Sequence, residues 1–210
     1  MIDIKCFKVT RLETNCYVIT DKATEKMAVV DPGDKSQELI DVVNSSKEKS
    51  LEYIFLTHGH YDHIGYAEEL AKMFGAKIAI GEQGGDFLSS GMLNLSDFHK
   101  EVAIKPFTAD ILLKDNQVIA LGDAQVKYIA TPGHTKGCGC YIIDNNIFCG
   151  DTLFCESYGR TDLITGSDSQ MAQSIKRLKN LQGDYNVYPG HGSFSTLEHE
   201  RKYNPLMSMV

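Results

Sequence analysis

The chain has no basic stripe: its 210 residues carry 21 Lys and Arg against 28 Asp and Glu, a formal net charge of -7. Nucleic-acid binders need clustered cations to displace counterions from phosphate, so no nucleic-acid partner is expected. A long apolar run is missing too. The start MIDIKCFKVT alternates apolar and polar residues as a strand does, unlike a signal peptide or membrane span, so a cytoplasmic protein with no membrane partner is expected. Cys6, Cys16, Cys138, Cys140, Cys149 and Cys155 show neither CxxC nor zinc-knuckle spacing, which predicts reduced thiols buried in apolar strands. Low-complexity tracts and short repeats are absent, and a hydrophobic fraction of 42% can fill a core, so residues 1–210 are read as a single domain. Histidine is scarce, at seven residues, and its placement is therefore informative.

The patterning predicts strands near Ile2 to Val9, Cys16 to Thr20 and Met27 to Val30, a DPGD turn, then a helix through Leu39, Ile40, Val42 and Val43 capped by Ser36. LEYIFL at 51–56 reads as a buried strand, Ala67 to Phe74 as a helix and Ala76 to Gly81 as another strand. The stretch 84–115 is weakly periodic and reads as a helix fragment plus a surface excursion. Strands are expected near 117–120, 124–130, 138–143 and 147–149, the last two joined by a tight turn at Asp144 to Asn146. A helix at 169–181, a strand at 185–188 and a helix at 196–203 follow. Met73, Phe74 and Phe148 are expected in the core. This irregular alternation points to two mixed sheets with helices on their outer faces.

Three of the seven histidines fall in FLTHGHYDHIGY at 55–66. Three other segments repeat the order of apolar strand, glycine turn and metal-competent side chain: KYIATPGH ending at His134, NIFCGD ending at Asp151 and NVYPGH ending at His191. Residues just past strand ends gather at one rim of an α/β fold, where ligands bind. His58, His60, Asp62, His63, His134, Asp151 and His191 are too many for one tetrahedral ion, which takes about four ligands. Two divalent ions fit better, one on His58, His60 and His134 and the other on Asp62, His63 and His191, with Asp151 bridging. Such a pair, about 3.5–4 Å apart, activates a shared water and polarises a carbonyl or phosphoryl oxygen, which predicts hydrolysis. His99 and His199 lie in polar contexts and are read as ordinary surface residues.

This grouping resembles the metallo-β-lactamase superfamily and, within it, the glyoxalase II-like hydrolases. The wider resemblance rests on VDPG at 30–33, THGHYDH at 57–63, TPGHTKG at 131–137, GDTLF at 150–154 and YPGHG at 188–192; the narrower rests on GRTDL at 159–163 and ExxxNP at 200–205. It implies the αββα sandwich, the same seven metal ligands, zinc with iron or manganese as alternatives, and a small-molecule thioester substrate cleaved by a metal-bridging hydroxide. Asp62 is given a share in catalysis. Asp31 looks like the family's aspartate behind a ligating histidine, with a turn-former as the equal alternative, and Arg160 and Asp162 read as an ion pair shaping the rim, with binding of a substrate carboxylate as the alternative. Lys136 and Cys138 stand where many relatives carry proline and a small polar residue or histidine. Only nineteen residues follow His191, against the C-terminal helical domain of full-length glyoxalase II, so a short-type relative without that glutathione clamp is expected. The alternative from another class is a sulfur oxidoreductase resembling the persulfide dioxygenases, which use one iron on two His and one Asp.

Overall fold

Strand β1 (Ile2–Val9) pairs antiparallel with β2 (Thr14–Asp21), which pairs antiparallel with β3 (Met27–Val30). Strands β4 (Leu51–Leu56), β5 (Lys77–Gly81) and β6 (Ile111–Leu113) then extend this sheet in parallel. The computed structural model describes residues 1–45 and 51–210. Period-two alternation sorts each strand between two cores. Cys16, Val18, Met27, Val29, Ile54 and Leu56 face outward beneath helices α1 (Gln37–Asn44), α2 (Tyr61–Ile64) and α3 (Ala67–Phe74). Their neighbours Tyr17, Ile19, Ala28, Val30 and Phe55 face the second sheet.

That second sheet has the order β14-β13-β10-β9-β8-β7. Its strands are β7 (Val118–Leu121), β8 (Ala124–Ala130), β9 (Gly139–Ile143), β10 (Asn146–Gly150), β13 (Asn186–Pro189) and β14 (Ser195–Thr196), all antiparallel to their neighbours except the β10 and β13 pair. A small hairpin of β11 (Leu153–Phe154) and β12 (Ser157–Tyr158) stands apart. Val126, Tyr128, Tyr141, Ile143 and Phe148 close the core between the sheets. Ile129, Ile147 and Cys149 face α4 (Asp168–Lys179), α5 (Leu197–Tyr203) and α6 (Pro205–Met209) on the far side. The result is the expected αββα sandwich. Among the described residues no helix is long and apolar enough to cross a membrane.

Local chemistry accounts for most boundaries. Ser36 caps α1 by accepting from the Leu39 amide, and Gly75 ends α3 in the left-handed region. Asp144 turns β9 into β10 at φ 50°. One expectation needs refining and two need correcting. The stretch 84–115 is largely surface, as expected, but it is anchored by the buried Phe87, Leu88, Asn94 and Phe107, its helical pieces are 3-10 turns, and its end pairs as β6. Short 3-10 turns have no 3.6-residue period, so a periodicity search passes over them. Met73 is exposed on the outer side of α3, whereas Phe148, in mid-strand, is fully buried. All six thiols are free, but Cys155 is exposed because it sits at the tip of the β11–β12 hairpin.

One polar group ties the two sheets together inside the core. The buried Tyr141 hydroxyl, on β9, lies 2.9 Å from the Leu56 carbonyl and 3.1 Å from the Ala79 carbonyl, both in the first sheet. Tyr141→Phe is expected to destabilise the fold by about 1–2 kcal/mol, because it removes the single hydroxyl proton that these two buried carbonyls share. Urea denaturation checks this as a lower midpoint at unchanged m-value.

Candidate metal centre

The seven residues expected as ligands come from segments that follow four strands. His58 and His60 lie beyond β4, His134 beyond β8, Asp151 directly after β10 and His191 two residues after β13. His60 keeps an extended backbone (φ -69°, ψ 148°) as the N-cap of α2, and α2 carries Asp62 and His63. Two glycines let the strand ends approach. Gly150 has φ 47°, and a Cβ there would come within 2.2 Å of Thr57 Oγ1; at Gly190 a Cβ would fall 2.2 Å from Asp151 Oδ1.

The side chains form two sets, as the spacing predicts. His58 Nε2 lies 3.1 Å from His60 Nδ1, which lies 2.9 Å from His134 Nε2. In the second set His63 Nε2 is 3.2 Å from His191 Nε2, and Asp62 Oδ2 is 3.5 Å from the first nitrogen and 3.3 Å from the second. Asp151 sits between them, with Oδ1 3.5 Å from His63 and Oδ2 3.6 Å from both His134 and His191.

Hydrogen bonds on the far side of each ring decide which nitrogen faces inward. His134 Nδ1 donates to the Arg160 carbonyl (2.7 Å), His191 Nδ1 to the Leu12 carbonyl (3.1 Å) and His63 Nδ1 to Asp31 Oδ2 (2.9 Å). Thr57 Oγ1 gives its proton to Asp31 Oδ2 (2.6 Å), so it accepts from His58 Nδ1 at 3.2 Å. Each of these four rings therefore turns a bare Nε2 lone pair into the centre, and the Thr57 amide fixes the other Asp31 oxygen at 2.8 Å. His60 alone points Nδ1 inward. Asp31 thus does both things proposed for it: it orients His63 and takes a left-handed turn conformation, φ 52°.

These donor atoms fit metal ions. Bare nitrogen lone pairs repel, yet zinc bonds of about 2.0–2.1 Å at tetrahedral angles would hold nitrogens about 3.3 Å apart, close to the spacings found. Asp151 Oδ1 is buried with no hydrogen-bond donor. Buried acceptors are rarely left so, and a cation between the sets would satisfy this one. The carboxylates of Asp31, Asp62 and Asp151 are at most 12% exposed, and such charges need compensation that water cannot give there.

Electrostatics separates the sets. Burial, helped by His63 and the other imidazoles, holds His58 well below the ordinary histidine pKa, and burial with the neighbouring His134 pushes His60 down to about 3. Both are neutral donors at pH 7. For His63 burial opposes charge, but Asp62, Asp151 and Asp31 outweigh it and raise the pKa to about 10. His191 is likewise raised against burial by Asp62 and Asp151. Both shifts belong to the metal-free rings, whose Nε2 proton a bound cation would displace to leave the lone pair. Asp62 is held below the usual carboxylate range, since His63 and His191 overcome the desolvation that opposes its charge.

The remaining expected residues lie around the centre. Arg160 and Asp162 form an exposed bidentate pair at 2.6 and 2.7 Å, so the Arg160 head group is occupied while its carbonyl holds His134. Cys138 is buried and accepts from the Thr135 amide and hydroxyl, shaping the turn after His134. His99 stacks on Tyr61 at 4.6 Å, and His199 meets Glu156 at 3.0 Å. The ExxxNP motif is a clamp. Buried Glu200 accepts from the Glu156 amide (2.9 Å), Asn204 Nδ2 (2.8 Å) and the Ser195 hydroxyl, and Asn204 reaches the Ser157 carbonyl (2.9 Å). Cys155, His199 and Glu200 thereby cluster at the hairpin tip, with the carboxylate already satisfied. The Leu12 and Arg160 carbonyls leave no sequence signal, because any residue type supplies a carbonyl, and Thr57 lies inside THGHYDH, where nothing in the pattern encodes the partner of its hydroxyl.

Residues 9–191 match the Metallo-beta-lactamase superfamily. The "Probable polyketide biosynthesis zinc-dependent hydrolase PksB" of Bacillus subtilis is 33% identical over 177 residues, covering 84% of this chain and 72% of the relative. Among solved structures, the BLEG-1 B3 metallo-beta-lactamase superposes with a TM-score of 0.90 at 28% identity, over 98% of this chain and 100% of the other. TTHA1623 in a di-iron-bound form gives 0.82 at 25% identity, over 96% and 98%.

Because Asp151 faces both sets, Asp151→Ala is expected to weaken binding of both of two metal equivalents, whereas His60→Ala should weaken chiefly one. Competitive zinc titration against a chromophoric chelator distinguishes these outcomes.

Proposed function

Because the chain belongs to the metallo-β-lactamase superfamily, we propose that it is a binuclear metallo-hydrolase acting on small thioesters of the hydroxyacyl-thiol type. The observation that carries the binuclear part is the carboxylate of Asp151, shared between two complete sets of three donors. Zinc is the favoured metal given the zinc-dependent relative, and iron is supported by the di-iron structural neighbour; His and carboxylate donors suit both, and manganese.

Held by these residues, two divalent cations supply Lewis acidity towards a carbonyl oxygen and a water whose pKa falls from about 15.7 towards about 7. The chain's own contribution is position and charge. His58, His60 and His134 would hold one ion, while Asp62 and the His63 and His191 imidazoles would hold the other. Asp31, Thr57 and the Leu12 and Arg160 carbonyls keep the rings from turning. Asp62 is ionised at neutral pH and its Oδ2 lies 3.3 Å from His191 Nε2, which places it to receive a proton as well as to bind.

The thioester reading rests on the glyoxalase II-like GRTDL and ExxxNP segments. A cleft of about 530 Å³ lies against α2, between the β1–β2 turn and residues 99–104; none of the seven donors lines it, so it would take a part of the substrate remote from the reacting carbonyl. Tyr61, Leu12, Val102 and Ile104 give it apolar walls, and Arg11 and His99 are offset by Asp34 and Glu101. With Arg160 paired to Asp162 and Lys136 to Asp86, the rim offers little uncompensated positive charge for a dianionic thiol.

Two measurements test this reading. Asp62→Asn keeps shape and removes charge, so turnover is expected to fall by two or more orders of magnitude with little change in Tm; an active variant would remove Asp62 from the chemistry. S-lactoylglutathione should be hydrolysed with only a modest preference over the same acyl group on a smaller thiol. A kcat/KM ratio of a thousandfold or more, about 4 kcal/mol, would indicate a dedicated glutathione site.

A further inference from the structure

The end of the β1–β2 hairpin touches the second donor set and leaves the first alone. Thr14 and Asn15, at the start of β2, are both fully buried although polar. Thr14 Oγ1 donates to Asp62 Oδ2 at 3.2 Å. Since its one proton is spent there, it accepts from Thr10 Oγ1 at 3.0 Å, and Thr10 Oγ1 in turn accepts from the Leu12 amide at 3.1 Å. The Leu12 carbonyl receives the His191 Nδ1 proton. A single turn residue therefore links two ligands of the same set, one through its amide and one through its carbonyl.

Asn15 acts on the backbone that carries His191. Its amide hydrogens go to the Pro189 carbonyl (2.9 Å) and the Gly192 carbonyl (3.2 Å), on either side of Gly190 and His191. Its own backbone N–H donates to the Gly190 carbonyl at 2.7 Å. No corresponding contact reaches the first set, whose ring partners are Thr57 and the Arg160 carbonyl. Chain segments remote in sequence are thus held at fixed distance by buried polar groups with all their protons committed, an arrangement that tolerates little rearrangement.

We infer that Thr14 and Asn15 are positioning residues for the Asp62–His63–His191 set, and that they determine the affinity for the second ion independently of the first. The inference rests on the binuclear reading above. A hydrogen bond that fixes a ligating carboxylate typically matters 10- to 100-fold in metal affinity.

The test is a two-step zinc titration of the full chain against a chelator, with the Tm of the metal-free protein recorded alongside. Thr14→Val keeps the shape and removes the hydroxyl; it should weaken the second equivalent about 10- to 100-fold and leave the first within about threefold. Thr14→Ser should restore the second equivalent, and Asn15→Ala should weaken it in the same selective way. Wild-type affinities for both equivalents in Thr14→Val, or equal weakening of both with a lowered metal-free Tm, would overturn the inference. Asp62→Asn is the control: if it weakens the second equivalent while Thr14→Val does not, only this inference fails. If Asp62→Asn also leaves the second equivalent unchanged, the binuclear reading fails with it.

Discussion

Five imidazoles have to present unprotonated nitrogens to one small volume, and the architecture around the centre follows from that demand. A neutral imidazole has one donor and one acceptor, so an inward lone pair requires an outward partner for the N–H. Four rings find one in Asp31, in Thr57, and in the carbonyls of Leu12 and Arg160. These partners come from the β3 end, the β4 end, the β1–β2 turn and the loop after β12, so both halves of the sandwich have to be folded for the rings to be aimed. Asp31 is the most connected of them, since one carboxylate orients His63 and fixes Thr57, which in turn orients His58.

The sandwich meets this demand by bringing the ends of β4, β8, β10 and β13 together along one rim. Approach at that rim is close enough that two positions have no room for a side chain. Gly150 and Gly190 supply the room, and any Cβ at either position would collide with Thr57 or with Asp151 itself. Behind the rim, Phe55, Tyr141 and Phe148 fill the space between the sheets, with Phe55 and Tyr141 stacked at 4.7 Å, so the strand ends are held by a packed core. The geometry of the centre is thus inherited from layers well below it.

The C-terminal helices serve the same end from the other side. Glu200 and Asn204 hold the β11–β12 hairpin by its backbone, and Phe154 of that hairpin lies edge-on to His191 at 6.3 Å. A buried carboxylate with three donors is costly to disturb. The tail motif is therefore structural support for the rim, placed opposite the β1–β2 turn that steadies the same histidine.

What the sequence determined by itself is what short-range periodicity and side-chain chemistry encode. The short apolar runs MAVV and LEYIFL marked buried strands, and the strand-turn-ligand order at His58, His134, Asp151 and His191 identified the donors and their division between two sets. The family resemblance also marked Asp31 and the Arg160–Asp162 pair. What only the tertiary structure decided is whatever depends on backbone atoms or on chain segments far apart: the tautomer of each ring, the burial of residues 87, 88 and 107 in a stretch without helical period, and the placing of Thr14 on Asp62 across 48 residues. A carbonyl is the same in every residue and a hydroxyl carries no address, so their partners are set only when the two sheets close on one another.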